Sequence, residues 1–326
     1  MSKKILVSGI KPTGRLSFAN YFGAMKQNIN LTNSGEYENY IFLADYHALT
    51  TVRNGDELRN QTLEAAAAYI ACGLDVSKAI LFKQSDVPEV TELTWVFNNL
   101  VTMPYMMRAH AFKDYEAKDK EVNLGLFDYP VLMASDILMY GADIVPVGAD
   151  QKQHIEYARD IAGFYNRAYD VEYFKLPKEF IVESVATIPG IDGQKMSKGY
   201  NNHIELFCSD EDLKKRVMSI VTDSATPEEK KNPDTNNIYN IHKHFLDEDE
   251  NAVLRGKFEN GGYGYKQAKE DLLITIMKWR EGKKEVFDDL VAHPEKLMAI
   301  LKEGGIQAKK KAEETMRDVR RQVGLV

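Results

Sequence analysis

The sequence predicts an α/β fold in which a parallel sheet alternating with helices is followed by an almost wholly helical second half. Three observations carry this. Short unbroken apolar runs recur through the first half, with helical stretches between them. The pattern then turns helical after a stretch at Thr187–Asn202 that holds Pro189, Gly190, Gly193 and Gly199. Finally, 326 residues at 44% hydrophobic and 28% charged is the balance of a globular chain, long enough for about two domains at roughly 150 residues each.

Taken in order, Lys4–Ser8 is an apolar run ending at Gly9, which reads as a buried strand. Tyr40–Ala44, Ala79–Phe82 and Asp143–Val147 read the same way. Glu57–Cys72, rich in Ala and Leu, reads as a helix that stops before Gly73. Runs without alternation fit strands covered on both faces, and helices between strands imply parallel crossovers. In the second half Ser209–Val221, Ile238–Phe245, Tyr265–Lys283 and Ala308–Val323 carry helical spacing, with Ser209 as an N-cap. Thr222–Asn237, with Pro227 and Pro233, reads as a polar linker.

Composition excludes several classes. Cys72 and Cys208 are the only cysteines, so no disulfide framework is expected and a reducing, cytoplasmic setting fits. No Cys/His cluster has the spacing of a metal site, and no metal ligand is expected. The first residues, MSKKILVSGIKPTG, do not read as a signal peptide, and no stretch reaches the roughly 18 apolar residues of a membrane span. A net charge of −7 counts against a general nucleic-acid coat protein. One local exception is Leu301–Val326, where Lys302, Lys309, Lys310, Lys311, Arg317, Arg320 and Arg321 outnumber the acids. A solvated helix face is the usual fate of such a run.

Four stretches hold chemistry. The first strand runs into GIKPTGRLSFANYFGA, with a helix opening near Phe18–Asn20. Such a loop presents free backbone N–H groups and the positive end of a helix to a phosphate, and Gly9 and Gly14 allow unusual backbone angles. It also fits an ordinary strand-to-helix turn. The second stretch is Lys195-Met196-Ser197-Lys198-Gly199, two lysines in a Gly-bearing loop, suited to neutralising charge on a triphosphate. A solvated lysine pair is the plainer alternative.

The third is Asp128–Tyr140, a helix expected to begin near Pro130, with Tyr129, Met133, Asp136 and Tyr140 on one face. An aspartate there is costly to bury without a partner. It fits a pocket floor accepting a ligand N–H, a side chain paired with a nearby Arg or Lys, or a place at the exposed edge of the helix. The fourth is Val147-Gly148-Ala149-Asp150-Gln151, where Asp150 is either a helix N-cap or a ribose ligand.

Together these stretches resemble one family. KMSKG is similar to the KMSKS loop of class I aminoacyl-tRNA synthetases. TGRLSFANYFGA resembles the T-G-x-x-x-x-G-N-Y-x-G-A form of the HIGH motif in bacterial-type tryptophanyl-tRNA synthetases. PVLMASDILMY resembles that family's substrate helix, and VPVGADQKQH its V-P-V-G-x-D-Q-x-Q-H segment. The resemblance extends over essentially the whole chain. It implies a Rossmann-like catalytic domain at 1–200, with dimer-forming helices within 85–140. A helical anticodon-binding domain at 201–326 would follow, its last helix packing back on the first domain.

The activity implied is tryptophan–tRNA ligation: ATP activates L-tryptophan to tryptophanyl-AMP, releasing pyrophosphate, and the tryptophanyl group passes to tRNA(Trp). By resemblance the catalytic residues are Ser17, Asn20, Lys195, Ser197 and Lys198. ATP would lie against Lys11, Gly14, Ala19, Asn20, Gly148, Asp150 and Met196, with Mg²⁺ accompanying it. Tryptophan would lie against Val7, His47, Tyr129, Met133, Asp136, Val147 and Gln151, with Asp136 taking the indole N–H and Gln151 the ammonium. The implied partners are tRNA and a second copy of the chain, with phosphate contacts from Lys113–Lys120 and the basic tail.

An acceptor in an aromatic slot penalises any side chain without a matching donor. The chain departs from the family at Lys11, Ser17, Ala19, Tyr115 and Gly199. Lys11, Ala19 and Tyr115 keep in view a synthetase-like paralogue that does not charge tRNA. A tyrosyl-tRNA synthetase, which shares the fold and the lysine loop, is the other alternative, disfavoured by the Gly148–His154 run and the helix carrying Asp136.

Overall fold

The structure, a computed structural model, describes residues 3–12, 14–108, 123–147, 152–181 and 188–326. Its chain packs as two compact units. The first comprises Met1–Gly14, Gln27–Glu183 and Leu290–Val326, and the second Arg15–Lys26 and Ser184–Asp289.

The first unit holds a five-stranded parallel sheet. Its strands are β1 (Lys4–Ile10), β2 (Tyr37–Leu43), β3 (Ala79–Lys83), β4 (Ile144–Val147) and β5 (Lys178–Ile181), in the order β3-β2-β1-β4-β5. This is the doubly wound arrangement of a Rossmann-like domain, with its order reversing between β1 and β4. The four expected strands are present; β5, a short run of mixed polarity, carried no apolar signal. β1 continues two residues past Ser8, so Gly9 lies inside the strand rather than in a turn. It pairs in register with Phe42 of β2, and a Cβ at Gly9 would lie 2.5 Å from that ring. Gly9 is thus explained by side-chain crowding, whereas Gly14 takes the positive φ expected of it (+72°).

The helix Gly55–Ala71 matches the expected one, capped by Asn54. The helix expected near Pro130 spans Leu124–Met139 instead, with Asn123 as its cap and Pro130 in its interior. The cap set the start, and the proline is absorbed at the cost of one backbone bond. The last helix runs from Pro294 to Gln322, far longer than the Ala308–Val323 expected. Gly304 and Gly305 lie within it, and a Cβ at Gly304 would sit 2.0 Å from the Leu81 carbonyl oxygen. The glycines let this helix lie directly on the backbone of β3. Lys309 and Arg320 of the tail pair with Glu89 and Glu92 of the helix Glu89–Asn98. Part of the tail's basic charge is therefore engaged within the unit.

The second unit is mainly helical, with Asp210–Met218, Asn237–His242, Glu248–Asn260 and Tyr265–Arg280. Ser209 caps the first of these, as expected. Glu248–Asn260 carried no expectation. The polar stretch 222–237 is tied down by buried Lys231, whose ammonium donates to the carbonyls of Thr226 and Glu229 at 2.8 and 2.9 Å. Residues 16–18 pair with 204–206: the Phe18 N–H donates to the Ile204 carbonyl and the Leu206 N–H to that of Leu16. Phe18, Tyr21, Phe245 and Trp279 pack edge to face around this seam. Among the described residues no helix is long and apolar enough to cross a membrane.

Candidate active site

In an open parallel sheet, ligands collect beyond the carboxyl ends of the strands, where the strand order reverses. Lys11 follows β1 there, Asp45–Ala48 with His47 follows β2, and Gln84 follows β3. Val147 is the last residue of β4. The sheet thus delivers residues far apart in sequence to one edge.

Asp136, on the helix Leu124–Met139, is 2% exposed. Its Oδ1 accepts from the Gln84 amide at 2.8 Å. Its Oδ2 lies 2.9 Å from that same nitrogen and 2.9 Å from His47 Nε2. Among the described residues, Asp136 is paired with neither Arg nor Lys. Burial pushes its carboxyl pKa up, while the bonds from His47 and Gln84 pull it down. Tyr129 stands edge-on to His47 with ring centres 4.6 Å apart, and burial, then the Asp136 charge, raises its hydroxyl pKa. Tyr129 and Met133 are half-buried. Val7 is fully buried in the core against which Met133 and Val147 pack. Lys11 donates to Thr50 Oγ1 at 2.8 Å, and Thr50 donates to the His47 carbonyl. Burial lowers the Lys11 pKa.

The second group of residues lies in the other unit. Ser17 is buried, and both its N–H and its hydroxyl donate to Asn20 Oδ1, at 2.9 and 3.0 Å. These two bonds tie Ser17 to Asn20 across the first helical turn, with Ala19 half-buried beside it. In the lysine loop, Pro189 and Lys195 face each other as a β-bridge, and Gly193 turns the chain at φ +83°. Met196 is buried and Lys195 exposed. Ser197 caps a single turn by accepting the Gly199 N–H at 3.2 Å.

Buried Asn202 pins the loop: its Oδ1 accepts the Ser197 N–H at 2.8 Å, and its amide donates to Asp192 and the Lys195 carbonyl. Burial lowers the Lys198 pKa to about 8, with the charge of Glu205 opposing. Glu205 also pairs with Arg15 at 3.6 Å and bridges to Ser17. First-loop motif and lysine loop thus share one acidic neighbour.

Gln84 and Asn202 were not expected. Both are amides that follow a recognisable element without belonging to a motif, and only the three-dimensional network exposes them. Gly148, Asp150 and Gln151 lie outside the described residues, as do Lys113, Tyr115, Lys118 and Lys120.

Comparison with known proteins decides the lineage. The family model "tRNA synthetases class I (W and Y)" matches residues 2–279. The chain belongs to this family. It is an aminoacyl-tRNA synthetase, and its likeness runs to the tryptophan branch. The tryptophan–tRNA ligase of Fusobacterium nucleatum is 46% identical over 320 residues, covering 98% of each chain. The tryptophanyl-tRNA synthetase of Campylobacter jejuni, solved with ADP and tryptophan, superposes with a TM-score of 0.91 at 41% identity, covering 98% of this chain and 99% of that one. The tyrosyl-tRNA synthetase of Archaeoglobus fulgidus shares only the fold, with a TM-score of 0.67 at 18% identity. The tryptophan reading of this synthetase is favoured over the tyrosine one.

Proposed function

We propose that this synthetase activates L-tryptophan with MgATP to tryptophanyl-AMP and pyrophosphate, then transfers the tryptophanyl group to tRNA(Trp) in the cytoplasm. The observation that carries it is Asp136, a buried carboxylate on an aromatic- and Met-lined face at the carboxyl edge of the sheet. A buried acceptor rewards a ring bearing an N–H and penalises phenylalanine, which leaves it unpaired. Val7, His47, Tyr129, Met133 and Val147 shape the slot around it, and Gln151 takes the substrate ammonium. Nucleotide binding is supported by the Campylobacter relative solved with ADP.

The substrate carboxylate is already ionised, so activation needs no protein nucleophile. It needs positioning and cations where phosphate charge develops. Lys195 and Lys198 supply that charge, with Ser197 and Met196 setting the loop. Ser17, Ala19, Asn20, Lys11 and Gly14 hold the nucleotide, and Asp150 with Gly148 holds the ribose. Mg²⁺ arrives with ATP, held by phosphate oxygens. The helical region after residue 200 binds the anticodon, apart from its last helix, Pro294–Gln322, which belongs to the first unit.

The chain acts as a homodimer through the helices at 85–140. Supporting this is an apolar groove of about 400 Å³ bounded by Tyr46, Leu49, Trp95 and Leu132, with Trp95 70% exposed. A contiguous exposed apolar patch is the mark of an interface. Light scattering should give twice the chain mass, and Trp95→Asp should return it to the monomer value.

The test is ATP–pyrophosphate exchange with tryptophan, tyrosine and phenylalanine side by side. Exchange with tryptophan alone supports the reading. Exchange with tyrosine means a different pocket, and none at all, despite ATP binding, means a paralogue that does not charge tRNA.

A further inference from the structure

We propose that Gln84 is a positioning residue for amino-acid selection, holding the Asp136 carboxylate in the orientation that receives the substrate N–H. The inference rests on the assignment of Asp136 above.

The geometry is specific to an amide. Gln84 is 1% exposed and stands immediately after β3. Its Oε1 accepts the His47 backbone N–H at 3.4 Å, which leaves its nitrogen facing Asp136. That nitrogen lies 2.8 and 2.9 Å from the two carboxylate oxygens. One side chain thus ties the turn after β2 to the helix that carries Asp136. An ionised carboxylate offers about four acceptor directions. Among the described residues, the two contacts from Gln84 and one from His47 occupy three, which leaves about one for a ligand donor.

The turn itself is held in place. Ser85 donates its N–H and hydroxyl to Asp45, at 2.9 and 2.5 Å. Asp86 pairs with Lys83 at 2.9 Å and faces Gly305 of the last helix, where a Cβ would come within 2.9 Å of it. Gln84 is therefore presented by a turn clamped from two elements.

The charged and titratable groups around Asp136 come from several elements. His47 and Asp45 face it from the turn after β2, and Tyr129 and Tyr140 from its own helix. Tyr40 stacks on Tyr140, with Glu89 and Glu314 acting on those two hydroxyls. His154 packs against Tyr129. Hydrogen bonds to the charged form favour ionisation. Among these neighbours Gln84 is the neutral donor that supplies such bonds at any pH.

The test is amino-acid-dependent pyrophosphate exchange on the full chain, comparing wild type, Asp136→Ala, Gln84→Leu and Gln84→Glu with tryptophan and phenylalanine across neutral pH. Gln84→Leu should raise the KM for tryptophan about tenfold or more, as expected for lost bonds to a charged group, and leave the KM for ATP unchanged. Gln84→Glu separates positioning from mere packing. Two adjacent carboxyls share a proton, and the shared proton restores a donor toward Asp136. Its tryptophan kcat/KM should therefore approach wild type at the acidic end and fall as pH rises, while wild type holds steady there. A loss in Gln84→Glu that does not change with pH would overturn the proposal, as would an unchanged tryptophan KM in both Gln84 variants while Asp136→Ala loses selectivity. If Asp136→Ala also keeps its selectivity, the assignment of the pocket falls with it.

Discussion

The Asp136 pocket of the first unit and the lysine loop of the second solve opposite electrostatic problems. Around Asp136 a negative charge is taken out of water and satisfied from within, by one amide and one imidazole from two different strand ends. In the lysine loop the charge on Lys195 is left in water, and the protein spends its polar groups on the backbone instead, through Asn202. The difference follows from the ligands each suits. An indole N–H offers one weak donor, which matters only against a desolvated acceptor. A polyphosphate carries several charges and is met by mobile ammonium groups on a shaped loop.

That contrast can be broken at either end. The largest effect is expected from Lys195→Ala, which should lower the rate of pyrophosphate exchange by about 10²- to 10³-fold, the usual loss when a charge-stabilising group is removed. Tryptophan binding, followed by equilibrium titration, should stay within about twofold. A large loss of tryptophan affinity with normal exchange would reverse the division between the two regions. Asn202→Ala removes the loop's pin and leaves its partners unpaired. It should cost about 1–3 kcal/mol of stability, read as a lower denaturant midpoint, and lower kcat for exchange more than it raises any KM.

A smaller effect concerns pH. Lys198 ionises near 8 in the free protein, so its charge is present below that value and lost above it. The kcat/KM for ATP should accordingly decline on the alkaline side of about 8, and Lys198→Arg should remove that limb, since a guanidinium stays charged. An alkaline limb that survives in the arginine variant belongs to another group.

Much of this architecture was legible in the sequence, because apolar runs and helical spacing report burial directly. The four apolar runs read as strands all became strands, and Asp136 stood out as a charge on an apolar face. What escaped is instructive in physical terms. Gly9 reads as the end of a strand, and Gly304 falls before the expected last helix, yet each serves close approach, to the Phe42 ring and to the Leu81 backbone respectively. Pro130 looks like a helix start, but Asn123 holds the capping bond. Gln84 and Asn202 act through bonds to residues far away in the chain or to loop backbone, and no period or spacing reveals such bonds. Sequence patterns mark which groups carry charge; the neutral amides that orient them become visible only in the fold.

The central claim is that a buried Asp136 selects the substrate ring. Its most direct test is the ratio of kcat/KM for tryptophan over phenylalanine in pyrophosphate exchange, measured for wild type and Asp136→Ala. The ratio should fall by about 10²-fold in the variant, driven mainly by weaker use of tryptophan. An unchanged ratio would contradict the account and place the selection of the ring elsewhere in the pocket.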